Sequence, residues 1–147
     1  MTRALNRAAF TLCVTAAVFL VAVTPAANGA DSSQSMELGR DIFSGQHALA
    51  AHLRDDDRML PDNAIRCINC HGHADNAASF GPPLTSQYLL SDTRGRGGPP
   101  SRYDLSSFCR ALNVGVDPTG IVLKKAMPQY TFSDTECAAV WSFVTAP

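Results

Sequence analysis

The stretch Arg66-Cys67-Ile68-Asn69-Cys70-His71-Gly72-His73 constrains this chain more than any other. Two cysteines stand three residues apart, a histidine follows at once, and a second histidine comes two later. Such a cluster admits a zinc site, a redox-cycling disulfide or covalent attachment of a haem. Each makes a different demand on the rest of the chain. The choice rests on the compartment, on the other cysteines and on the surrounding secondary structure.

The amino-terminal 30 residues speak to the compartment. Residues 1–7 carry two arginines and no acid, residues 8–24 form an apolar run, and residues 25–30 supply small residues for cleavage after Gly29 or Ala30. A charged start, an apolar middle and a small-residue exit make a secretory signal. A 17-residue run is marginal for a membrane span, and a processing site follows it directly. Cys13 sits too early, and follows Thr11-Leu12 rather than small residues, to serve as a lipid anchor. The expected mature chain is residues 31–147, one domain with ten basic and thirteen acidic residues. Its net charge of −3 and lack of any basic tract argue against nucleic acid as a partner. No later segment is apolar enough to span a membrane. Polar, glycine and proline residues take much of the length, so a staple or a large buried cofactor would help the small core. With Cys13 gone, Cys67, Cys70, Cys109 and Cys137 remain, an even set that suits an oxidising compartment.

The periodicity predicts helices. Residues 32–46 place Leu38, Gly39, Ile42 and Phe43 on one face, with Ser35 as the expected cap. Residues 47–53 suggest a short helix, and the acidic run to Pro61 a solvated loop. Residues 91–104 hold three glycines and two prolines and read as either a mobile tip or a wrapped binding loop. Asp104 can cap a helix with the stripe Leu105, Phe108, Cys109 and Leu112, stopped at Asn113-Val114-Gly115. Ser133 and Glu136 form a capping box ahead of Cys137, Val140, Trp141 and Val144. No hairpin signal and no internal repeat stand out, so the expected class is all-α.

Within that pattern Cys67-Ile68-Asn69-Cys70-His71 has the spacing of a c-type haem attachment sequence. Two thiols one helical turn apart can reach two vinyl groups, and the next imidazole can reach the iron. Zinc needs four well-placed ligands, and Cys67, Cys70, His71 and His73 are crowded for one tetrahedron. A thioredoxin-type motif expects a βαβ context, which the pattern lacks. Haem is the favoured reading, with zinc and thiol redox as alternatives. An iron so held needs a second axial ligand from Met36, Met59, Met127, His47, His52 or His73. Met127 stands out: it lies between the last two helices, 56 residues after His71, with Pro128 to stiffen its loop. The plain alternative for a lone methionine is core gap-filling. His73 reads as a surface residue.

Taken together these motifs resemble a class I cytochrome c over nearly the whole expected mature chain. Gly39-Arg40-Asp41-Ile42-Phe43 is similar to that family's first helix, in which Gly39 and Phe43 would cross the last helix near Phe143. Gly81-Pro82-Pro83-Leu84 is similar to the segment whose proline carbonyl, here that of Pro82, accepts the proximal imidazole N–H. Met127-Pro128-Gln129-Tyr130 is similar to the distal-methionine loop. The resemblance implies three main helices around one covalent haem, with Cys67 and Cys70 as thioethers and His71 and Met127 as iron ligands. Leu84 would lie near the ring. Two departures stand out: residues 46–66 are a long connection, and Cys109 and Cys137 lie outside the general pattern.

Cys109 and Cys137 fall on the inward stripes of two helices in an exported chain, so a disulfide bracing the chain on both sides of Met127 is expected. Arg94, Arg96, Arg102, Tyr88 and Tyr103 flank the glycine-rich segment, and Arg102 or Tyr103 is the expected donor to the haem propionates. Lys124 and Lys125 could dock a partner or form a wet surface. The implied function is periplasmic transfer of single electrons between a donor and an acceptor protein by a monomer in transient complexes. The alternative is a haem subunit fixed in a dehydrogenase or oxidase complex. Catalysis is not expected, because both axial positions of such an iron are filled.

Overall fold

The structure, a computed structural model, describes residues 28–72, 80–94 and 97–147. Nearly all of the expected signal segment, and also His73 and Arg96, lie outside them. In chain order the elements are α1 (Asn28–Ser44), β1 (Ala51–Leu53), β2 (Asp56–Met59), α2 (Ile68–His71), α3 (Ser86–Leu89), β3 (Thr93–Arg94), β4 (Pro100–Ser101), α4 (Leu105–Val114), β5 (Gln129–Tyr130) and α5 (Asp134–Val144). Among the described residues, no helix is long and apolar enough to cross a membrane.

The expectation of an all-α fold is overturned. The helices are accompanied by an antiparallel sheet in the order β2-β1-β5 and by a second antiparallel pair, β3-β4, so the chain is mixed α and β. Residues 47–53 do not form the expected helix. A stretch this short cannot nucleate one unaided, and Ala51 and His52 instead pair with Tyr130 and Gln129. The acidic run is not a loop either, because Asp56–Met59 returns alongside β1. The turn between them is Arg54-Asp55, with Asp55 at φ +64°. Aspartate tolerates this left-handed conformation better than most residues. Asp56 accepts from Arg58 at 2.7 Å on the exposed edge. Within the glycine-rich segment Thr93 and Arg94 pair with Ser101 and Pro100.

The helical frame follows from close approach. Gly39 faces the backbone of Ala139 on α5, and any Cβ at Gly39 would strike the Ala139 carbonyl. Beside this crossing Phe43 and Phe143 pack with ring centroids 5.6 Å apart. α1 starts at Asn28 and not at the expected cap Ser35, and so runs across the expected cleavage point. α4 and α5 carry the capping boxes their sequences indicate, at Asp104–Ser107 and Ser133–Glu136. Phe108 and Leu112 from α4 and Cys137, Val140 and Val144 from α5 join Ile42 in one buried cluster. Leu105, expected on the inward stripe of α4, is instead exposed, as befits the first residue after the cap. Cys109 and Cys137 are joined in a disulfide that ties α4 to α5.

Two outcomes test this frame. Gly39→Ala forces α1 away from α5, and overpacking of this kind should lower the melting temperature by about 5–15 °C in a circular dichroism melt. An unchanged melt would refute the crossing. The double variant Cys109→Ala, Cys137→Ala opens a loop of 28 residues. Urea unfolding should show a loss of about 3–4 kcal/mol on the chain-entropy argument.

Candidate haem-binding site

α2 is a single turn, and its hydrogen bonds fix the attachment motif. The amides of Cys70 and His71 both donate to the Cys67 carbonyl, at 3.1 and 2.9 Å. Residues three and four apart share one face of a helical turn, so Cys67, Cys70 and His71 line the same wall of one cavity. The cavity measures about 590 Å³, within the usual range of small-molecule and cofactor sites. Leu84, Leu89, Phe108 and Leu112 give it an apolar lining, and Met127 lines it from the loop ahead of β5.

The imidazole is well defined. His71 Nδ1–H donates to the Pro82 carbonyl at 2.7 Å. A carbonyl can only accept, so Nδ1 carries the proton and Nε2 keeps its lone pair for a metal. Burial pushes the His71 pKa down, while the Pro82 bond acts in the opposite sense, and the neutral ring is the ligating form. The ring lies directly over Gly81, where an added Cβ would strike Cε1 and Nδ1. Glycine is required there by close approach.

The thiol wall is locked from behind. Tyr130 is buried, and its hydroxyl donates to the Ile65 carbonyl at 2.7 Å. Burial pushes the Cys67 thiol up to about 11, only partly offset by its hydrogen bond with Tyr130. Burial also pushes the Tyr103 hydroxyl up to about 12, so it remains an O–H donor at neutral pH. Among the described residues, the charged side chains that line the cavity are Arg66, Arg94 and Lys124, all cationic.

Most of the residues singled out in the sequence therefore share one cavity: Cys67, Cys70, His71, Pro82, Leu84, Tyr88, Tyr103 and Met127. Arg102 is not among them. It is exposed, while Tyr103, whose amide donates to the Leu89 carbonyl at 2.8 Å, lines the cavity. Arg94 and Arg66 reach the cavity instead. Of the other candidate axial ligands, Met59 is 65% exposed and Met36 lines a separate cleft with Ser32 and Arg40. His47 meets Glu136 at 2.8 Å, and His52 meets the Leu53 carbonyl at 3.0 Å. No role was expected for Arg66, Gly81 or Tyr130, although each lies in a stretch already singled out, at 66–73, 81–84 and 127–130.

The donor set fits a covalently attached haem. Two thiols, an imidazole with Nδ1 committed elsewhere and a thioether sulfur surround an apolar space with cations for acidic substituents. Among the described residues, no three His, Cys, Asp or Glu side chains are arranged to hold a bare metal ion. No family model matches the chain, and no curated protein or solved structure is similar enough to identify a relative.

Gly81→Ala should displace the His71 ring and break its bond to Pro82. In ¹⁵N NMR the wild-type ring should show a single Nδ1-protonated tautomer and the variant a mixture. Identical spectra would refute the close approach.

Proposed function

We propose that this chain is an exported c-type cytochrome that carries single electrons between redox proteins, on a mixed α and β frame and not an all-α one. The observation that carries the reading is the convergence of Cys67, Cys70, His71 and Met127, from segments far apart in sequence, on one apolar cavity. The haem would supply a reversible one-electron couple at its iron.

The chain's residues would do the rest. Cys67 and Cys70 would hold the ring by thioethers. His71, oriented by Pro82, would present Nε2 to the iron, since a hydrogen bond on the far nitrogen fixes the ring and raises its donor strength. Met127 would fill the other axial position, which raises the potential relative to a second histidine. Tyr103, Arg94 and Arg66 would face the propionates, as charge-assisted and hydroxyl donors suit carboxylates. With both axial positions filled there is no place for a substrate, so the reading is electron transfer and not catalysis. The export signal points to the periplasm. A fixed subunit of a dehydrogenase or oxidase complex is a second reading, favoured by exposed Ile68 and Phe80 near the attachment turn. Co-purification of a partner at fixed stoichiometry would distinguish it from a shuttle.

Expression with export, in cells able to attach haem, followed by a pyridine haemochrome assay, should give one covalent haem per chain. Replacing both Cys67 and Cys70 with Ala should abolish attachment. Met127→Leu should remove the methionine–iron charge-transfer band, lower the midpoint potential and let the reduced protein bind carbon monoxide. Absence of haem from the wild-type protein would overturn the proposal.

A further inference from the structure

The long connection of residues 46–66 has no counterpart in the pattern the chain resembles, and the structure gives it specific contacts. It reaches the Met127 loop on both flanks. On one side Arg54 Nη1 donates to the Leu123 carbonyl at 2.8 Å, four residues before Met127. On the other, the Tyr130 hydroxyl donates to the Ile65 carbonyl at 2.7 Å, three residues after it. Ahead of Arg54, β1 pairs with β5, and the Thr131 amide donates to the Ala50 carbonyl at 2.9 Å. The loop itself contributes only a tight turn, in which the Met127 amide donates to the Lys124 carbonyl at 2.9 Å. Ile65 stands two residues before Cys67. One continuous segment thus begins against the far wall of the cavity and ends in the near one.

We propose that residues 46–66 are a brace that sets the position of Met127 relative to the attachment turn, with Arg54 and Tyr130 as its positioning residues. This rests on the function proposed above. A thioether sulfur is neutral and brings no charge to hold it at a metal, so its bond depends on the loop being delivered to the right place. Sites work when their groups are held to within about 0.5 Å by supporting contacts. Here the support comes from a segment that contributes neither iron ligand.

The test uses the haem-loaded protein and three variants. Tyr130→Phe removes a donor to the brace, and Arg54→Met removes the brace's own donor to Leu123. Arg58→Ala removes the exposed pair with Asp56, on the same hairpin but on neither flank of Met127. Added imidazole competes with Met127, and loss of the charge-transfer band gives a midpoint concentration. Each brace variant should lower that midpoint about fivefold, the effect of one net hydrogen bond, with covalent attachment unchanged in Arg54→Met. Arg58→Ala should leave it at the wild-type value. The Arg54 side chain is 31% exposed, so Arg54→Met reports even where Tyr130→Phe fails to fold. Midpoints within about twofold of wild type for the brace variants, or an equal shift in Arg58→Ala, would overturn the brace alone. A wild-type protein without haem, or with haem but no methionine band, would overturn the functional reading and the brace with it.

Discussion

The contact on which the rest of the structure depends is the crossing of two backbones. Gly39 on α1 lies against Ala139 on α5 with no room for a side chain between them. This approach buries Ile42 against Val140 and Val144 in the common core. α5 in turn holds α4 through Cys137 and Cys109, and α4 offers Phe108, Ala111 and Leu112 to the cavity. The site is therefore built outward from a helix pair that contains none of its chemistry.

α4 and α5 were legible because their signals are local. Asp104 with Ser107, and Ser133 with Glu136, satisfy amide groups within one turn, and caps of this kind are written in adjacent residues. The sheet was not legible, because its cause is remote. Ala51 becomes a strand residue by pairing with Tyr130, 79 positions away, and Arg54-Asp55 lacks the usual asparagine–glycine turn signature. A strand of three residues also leaves almost no alternation to detect.

The site divides along the same line. The spacing of Cys67, Cys70 and His71 states its own geometry, since three and four residues make one helical turn. Which arginine lines the cavity does not follow from spacing. Arg94 and Arg102 both lie within residues 91–104 and both are exposed, yet only Arg94 lines the cavity. The role of Tyr130 was invisible for a related reason: its partner, the Ile65 carbonyl, is a backbone atom that any residue would supply.

The burial of Cys67 has a consequence for how the four cysteines are sorted. On the proposed function, one pair would oxidise while the other stayed available for addition to the haem. Thiol–disulfide exchange proceeds through the thiolate. A thiol pushed up to about 11 is almost wholly protonated at neutral pH, so it attacks disulfides slowly. Cys109 and Cys137 meanwhile lie with Cα atoms 5.8 Å apart, a separation that suits a bridge. Burial thus slows thiol–disulfide exchange at Cys67, while Cys109 and Cys137 are joined.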